Sequence, residues 1–165
     1  MASYEEHPSR TAALREGEIE VHPGAAESDC VIWAELENDE GWEGLLAKRL
    51  ETRRARVCAI PFRAYDINLD DEVALSLSGE GALLVEGVER DAGNFTYRVA
   101  FDDAAVGDPR WHQLLSALGA YECWFDLRDP GFLAISAPPQ HAQAVAEALY
   151  AREQRGELGY ETGRS

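Results

Sequence analysis

Asn94, Thr96 and Arg98 stand two residues apart in a segment that alternates cleanly, Asn94-Phe95-Thr96-Tyr97-Arg98-Val99-Ala100-Phe101. On an extended strand that spacing puts all three on one face, about 6.6 Å between successive members. An amide, a hydroxyl and a guanidinium so arranged suit an anion or a peptide backbone, because the guanidinium offers a planar fork of donors and the other two adapt. The same row also reads as structure, with Arg98 paired to one of many acidic neighbours. A second polar set, Arg63, Tyr65 and Asp66, follows Phe62 on a segment opened by Pro61. Loops held by a rigid scaffold often carry function. If this loop lies over the Asn94 face, the two sets form one site. The residues expected to bind a ligand or partner are therefore Asn94, Thr96, Arg98, Arg63, Tyr65 and Asp66.

No catalytic set is identified from residue order. His7, His22, His112 and His141 have no other His or Cys at metal-ligand spacing. Neither a metal nor a cofactor is expected. Cys30, Cys58 and Cys123 are odd in number and far apart, so they are expected to be reduced, buried and apolar in character. Cys123 beside Glu122 is a poor nucleophile, since burial and a nearby carboxylate both raise a thiol pKa. Gly79-x-Gly81 precedes a strand, which fits a hairpin turn better than a dinucleotide fingerprint. Lys48, Arg49, Arg53, Arg54 and Arg56 concentrate five of the fifteen basic residues. They read either as a nucleic-acid or acidic-partner patch, or as a solvated hairpin paired with the protein's own carboxylates.

The charge balance narrows the partner. Fifteen basic and 31 acidic residues leave a net charge of −16, and the first 105 residues hold 10 of the basic and 23 of the acidic ones. Such a field repels nucleic-acid backbones and acidic membranes over roughly 8–10 Å and favours a basic protein partner. No apolar run approaches the roughly eighteen residues of a membrane span. The first residues lack the basic and apolar regions of a secretory signal, so a cytoplasmic location is expected.

The elements that must position these residues follow from periodicity. Gly17 to Val21, Cys30 to Leu36, Glu72 to Ser78 and Ala82 to Arg90 read as strands, separated by turn clusters such as Asn38-Asp39-Glu40-Gly41. Residues 42–56 fit either a helix or a hairpin of two strands, of which the hairpin is preferred. After the Asn94 strand comes a helix opened by Asp108-Pro109 and ended by Gly119. Strands at Tyr121 to Leu127 and Phe132 to Ala137 follow. A second helix opens at Pro138-Pro139 with Ala142, Val145, Ala146 and Leu149 on one face, and a last strand runs from Leu158 to Thr162. The expected class is α+β: a small antiparallel β-barrel-like part over residues 18–92, then a ferredoxin-like split βαβ part over 93–165. Residues 1–17 are expected to form a flexible tail. The two parts are expected to pack as one unit, monomeric or homodimeric.

Several stretches resemble a bacterial family known as domain of unknown function number 4265. They are Trp42-Glu43, Ile60-Pro61-Phe62 followed by Tyr65 and Ile67, Gly93-Asn94 before Thr96 and Arg98-Val99, Pro138-Pro139, and Tyr160-Glu161. The resemblance covers roughly residues 30 to 162 and implies a shared shape, with no catalytic signature. The chain departs from that pattern at Asp66 and Asp70, where the resemblance implies Gly. The expectation for function is a non-catalytic binding protein, of immunity type or an accessory subunit, that recognises a basic protein. The alternative is a small enzyme or ligand-binding domain with an anion-binding cleft at Arg98, using Asp66 or Glu122 as acid or base. An RNA-associated factor using the 48–56 basic segment is a third reading.

Overall fold

Residues 4–7 and 10–164 are described by the computed structural model. In chain order they form β1 (Tyr4–Glu6), β2 (Ala12–Arg15), β3 (Glu18–Val21), α1 (Pro23–Glu27), β4 (Cys30–Glu35), β5 (Trp42–Glu51), β6 (Arg54–Val57), β7 (Glu72–Leu77) and β8 (Leu83–Arg90). There follow β9 (Phe95–Ala100), α2 (Arg110–Ala117), β10 (Trp124–Asp129), β11 (Phe132–Ala137), α3 (Ala142–Gln154) and β12 (Gly159–Thr162). The class is mixed α+β, mostly strand. Among the described residues no helix is long and apolar enough to cross a membrane.

Small residues at alternate positions build a narrow barrel. Ala34, Ala47 and Ala55 point inward with Ile32, Leu45, Val57, Val73 and Leu75, all buried. A five-stranded lumen has no room for large side chains from every strand, and the alanines relieve it. The strand order is β5-β4-β8-β7-β6, and β6 pairs back to β5, which closes the barrel. The hairpin expected over 42–56 is present, with Ala47 opposite Val57 and Glu51 opposite Arg54. Gly44 is required where it lies: a Cβ there would sit 2.9 Å from the Trp33 ring. One seam is weak. β4 and β8 run parallel and pair only at Ile32↔Leu83 and Trp33↔Leu84.

The second sheet has the order β12-β9-β11-β10-β2-β3. Its pairs are antiparallel. The alternation of β9 divides its residues as its pattern requires. Tyr97, Val99 and the adjoining Phe101 join Leu114, Leu115 and Leu118 beside α2, and Val145 and Leu149 of α3, in one core. Thr96 and Arg98 therefore face the other way, toward the barrel.

Several boundaries differ from expectation. The expected tail over 1–17 contains β1, which pairs parallel with β5, and β2, which pairs with β10 through Ala12↔Phe125. The strand ending at Val21 belongs to the second sheet, not to the barrel, because it forms a hairpin with β2 across Glu16 and Gly17, both at positive φ (51° and 82°). The start of the chain therefore visits both bodies before β4 begins. Residues 119–121 form a 3-10 turn and Glu122 is left-handed (φ 56°), so the expected strand starts at Trp124 instead of Tyr121. The last helix begins at Ala142, after a turn from Pro138 to His141.

Candidate functional site

Between β6 and β7 the chain makes a long excursion, residues 58–71, that lies between the barrel and the second sheet. Apolar anchors start it: Ile60, Phe62 and Leu69 are buried with Ala134 of β11. Three carboxylates then hold its backbone. Glu43, 3% exposed, accepts from the N–H groups of Phe62 (2.8 Å), Arg63 (3.1 Å) and Ala64 (2.8 Å). Asp126 accepts from Ile60 N–H (2.7 Å) and the Thr11 hydroxyl (2.8 Å). Asp71 accepts from Asn68 N–H (2.8 Å) and Ala92 N–H (2.9 Å), and burial nonetheless pushes its carboxyl above the usual range. His7 stacks on Phe62 at 4.0 Å, and its Nε2 lies 2.9 Å from the Ile60 carbonyl.

The Asn94 row meets this excursion, and of the second set Tyr65 joins it, while Arg63 and Asp66 turn elsewhere. Asn94 donates through Nδ2 to the Leu69 carbonyl (2.9 Å), and Thr96 donates to Asn68 Oδ1 (2.7 Å). Arg98 is 1% exposed. Its Nε donates to the Pro61 carbonyl (3.2 Å), its Nη2 to the Ala64 carbonyl and its Nη1 to Glu161 Oε1 (3.2 Å). The ring of Tyr65 covers the guanidinium at 4.8 Å, and Tyr65 donates to Glu161 Oε2 (3.1 Å). That hydrogen bond to a carboxylate raises the phenol pKa.

The anion cleft expected at Arg98 is thus filled by the chain's own carbonyls, and Asn94, Thr96 and Arg98 act as a seam between the two bodies. The guanidinium fork meets backbone oxygens of the kind a peptide ligand would present, supplied here from within. Arg63 reaches outward to Glu5 and Glu40, each at 3.4 Å. Asp66 is exposed, and its N–H donates to the Gly163 carbonyl (2.7 Å). Asp66 and Asp70 both take the left-handed conformation, at φ 63° and 69°, so the backbone makes at both positions a turn that glycine would adopt more easily.

The outer side of the same loop lines a different feature. Residues 65–67 form one wall of a cleft of about 450 Å³ whose other walls are Ala34 and Glu35 at the end of β4 and Val85, Glu86, Gly87 and Val88 of β8. It opens where β8 leaves β4. Its polar groups are Glu35, Asp66, Glu86 and Tyr65, and its apolar groups are Ala34, Ile67, Val85 and Val88. Glu43, Asp126, Asp71, Glu35 and Glu86 were not singled out for chemistry by residue type. Only Glu43 carried a signal, as part of the Trp42-Glu43 pair.

Other candidates resolve less favourably for chemistry. Desolvation pushes the thiols of Cys30 and Cys58 to about 11 and that of Cys123 to about 12, so all three are protonated near neutrality. Lys48 pairs with Asp29 at 3.0 Å, and Arg54 pairs with Glu51 at 2.8 Å and with Glu72 at 3.6 Å. Arg49 donates to the carbonyls of Glu51 and Thr52 in its own turn. The basic hairpin is therefore largely engaged by its own neighbourhood. Among the described residues no three His, Cys, Asp or Glu side chains are grouped to hold a metal ion.

A closed five-stranded barrel locked through a carboxylate-held loop to a helix-backed antiparallel sheet defines a mixed α+β protein. The chain belongs to the family described as domain of unknown function (DUF4265), whose model matches residues 43–160. The fold is also similar to a solved structure described as a novel crystal structure of a hypothetical protein from Neisseria gonorrhoeae. That likeness has a TM-score of 0.69 at 17% identity, over 81% of this chain and 93% of that one. No curated protein matches the chain.

Proposed function

We propose that this is a non-catalytic cytoplasmic binding protein, an immunity-type protein or accessory subunit, that receives a basic protein partner at the cleft between β4 and β8. The carrying observation is the cleft itself. Three acidic residues, Glu35, Asp66 and Glu86, line it together with the apolar Ala34, Ile67, Val85 and Val88, in a chain of net charge −16. A Lys or Arg side chain lays an apolar stem along such a lining and presents its head to the carboxylates. The overall field steers a basic partner toward it and accelerates association.

The second body is read as a ferredoxin-like split βαβ unit. Its strand–helix–strand–strand–helix–strand order and the neighbour order β12-β9-β11-β10 support that reading, with the β2–β3 hairpin added beyond β10. In this reading the helix-backed sheet is the support that holds the loop 58–71 rigid, and the barrel supplies the recognition surface. The alternative of an anion-binding enzyme at Arg98 loses its main support, since the guanidinium's Nε, Nη1 and Nη2 are taken by Pro61, Glu161 and Ala64 and its face by the Tyr65 ring.

The test is affinity capture from native lysate with wild type and with a triple variant, Glu35→Gln, Asp66→Asn and Glu86→Gln. Wild type is expected to retain a basic protein at low salt and release it at high salt, and the triple variant to retain none. Equal retention by both proteins, or an acidic partner, overturns the reading.

A further inference from the structure

We infer that the open edge of β8, residues 85–90, takes a short extended segment of the basic partner as an added β-strand. This inference rests on the reading of the cleft as the partner site and states how that site is used. The first observation is the pairing of β8. It runs antiparallel to β7 along its whole length, from Leu83↔Leu77 to Arg90↔Glu72. On its other side it pairs with β4 only at Leu83 and Leu84. Among the described residues, no strand pairs with that side of residues 85–90. The backbone donors and acceptors there are left to water or to an incoming strand.

The second observation is how the cleft is walled. Val85, Glu86, Gly87 and Val88 all line it. Successive side chains on a strand point to opposite faces, so a wall of four consecutive residues runs along the edge of the strand, not along one face. The cleft therefore offers β8's backbone directly.

Charge selects the occupant. Glu35, Asp66 and Glu86 lie in the cleft and Glu89 follows on the same strand. An added strand carrying Lys or Arg at alternate positions meets these carboxylates, while its apolar positions meet Val85 and Val88. A second copy of this chain, paired antiparallel through the middle of residues 85–90 of β8, brings Glu86 of one copy against Glu89 of the other, a like-charge arrangement that disfavours it. Register shifts between Glu72 and Val73 and between Ala74 and Leu75 bulge β8 at Glu89 and Glu86. Bulges twist an edge away from open-ended pairing, so the added segment is short.

The experiment uses a defined probe, a Lys-Val-Lys-Val-Lys-Val peptide blocked at both ends. It is titrated into the ¹⁵N-labelled full chain alongside a twin whose amides along one edge are N-methylated. The two share charge and side chains and differ in the capacity to pair as a strand. The expected result is slowed hydrogen exchange and shifted amide signals within residues 85–90. Affinity should be weaker for the methylated twin by about fivefold for each lost hydrogen bond. A Glu86→Lys variant is expected to lose affinity at low salt for the unmethylated peptide. Equal affinity of the two peptides overturns the inference yet leaves the basic-partner reading standing, because charge alone then binds. Absence of binding, or perturbation confined to other residues, overturns the inference, while the capture experiment judges the partner reading separately.

Discussion

The guanidinium of Arg98 lies 4.8 Å from the ring centre of Tyr65, and the two side chains end on the same carboxylate, one on each oxygen of Glu161. Arg98 comes from β9, Tyr65 from the loop after β6, and Glu161 from the last strand. Three distant parts of the chain thus converge on one buried cation. Together with Pro61 and Ala64, whose carbonyls take the other donors, this contact joins the barrel to the second sheet.

Arg98→Met is expected to be among the most damaging single changes. It leaves two carbonyls without their donor and frees Glu161 and Tyr65, which costs about 2–4 kcal/mol. Arg98→Lys restores the charge but not the fork, so it recovers only part of the loss. Urea unfolding followed by circular dichroism reads both. A Met variant within about 0.5 kcal/mol of wild type would show that the seam does not depend on Arg98.

Glu43 gives a graded test of the loop's anchorage. Its Oε1 accepts from two N–H groups and its Oε2 from one. Glu43→Gln keeps one oxygen and turns the other into a donor facing an N–H, so an intermediate loss is expected. Glu43→Ala removes both oxygens and is expected to cost about 3 kcal/mol or more. The order wild type, Gln, Ala in unfolding midpoint checks this, and an Ala variant as stable as the Gln variant contradicts it.

Asp66→Gly is expected to stabilise the protein by about 0.5–1 kcal/mol. A non-glycine residue at φ 63° carries steric strain that glycine lacks, and the relief exceeds glycine's entropic cost. Differential scanning calorimetry should show a higher Tm. A lower Tm would mean that the contacts of the Asp66 side chain outweigh its strain.

The pH dependence of one helix start is set by Asp108. Its side chain accepts from Arg110 N–H (3.0 Å) and from the Arg110 guanidinium, which holds the carboxyl below its usual pKa of 3.8. A depressed folded pKa gives stability that is present above the unfolded value and is lost as pH falls through the folded one. The Tm gap between wild type and Asp108→Asn should therefore be present at neutral pH and close in acid below that range. Asp71, with its pKa raised by burial, contributes in the opposite sense, so the paired comparison with the variant is essential. A gap that persists unchanged in acid refutes the assignment.

Thiol chemistry supplies a further check. Cys58 and Cys123 are buried, and the thiol pKa values of Cys30 and Cys58 lie at about 11 and that of Cys123 at about 12. Reaction with a disulfide reagent at mildly alkaline pH should be slow until denaturant is added, because the thiolate is the reactive form. Rapid labelling of Cys58 or Cys123 in the native protein would contradict their enclosure.

Local pattern carried much of the fold. The two-residue period of residues 95–101 determined which side chains enter the core, since a strand must send alternate residues to opposite faces. The apolar face of α3 was legible for the same reason, whereas residues 42–56 fitted either a helix or a hairpin by period and only the pairing of β5 with β6 decided between them. Six polar residues, Asn94, Thr96, Arg98, Arg63, Tyr65 and Asp66, were also recognised as a group that could converge. Their use was not legible. A period says that Arg98 leaves the apolar core, but not whether water, a ligand or a carbonyl meets it there. Tertiary structure decided that, by folding residues 58–71 over the row under the hold of Glu43, Asp126 and Asp71. It also decided where β2 and β3 go, because a strand's partner is chosen by pairing with residues more than a hundred positions away, as Ala12 is with Phe125. The slit beside β8 arises in the same way. Nothing in residues 83–90 marks the point at which β4 stops pairing, since an edge is a property of the neighbouring strand's path.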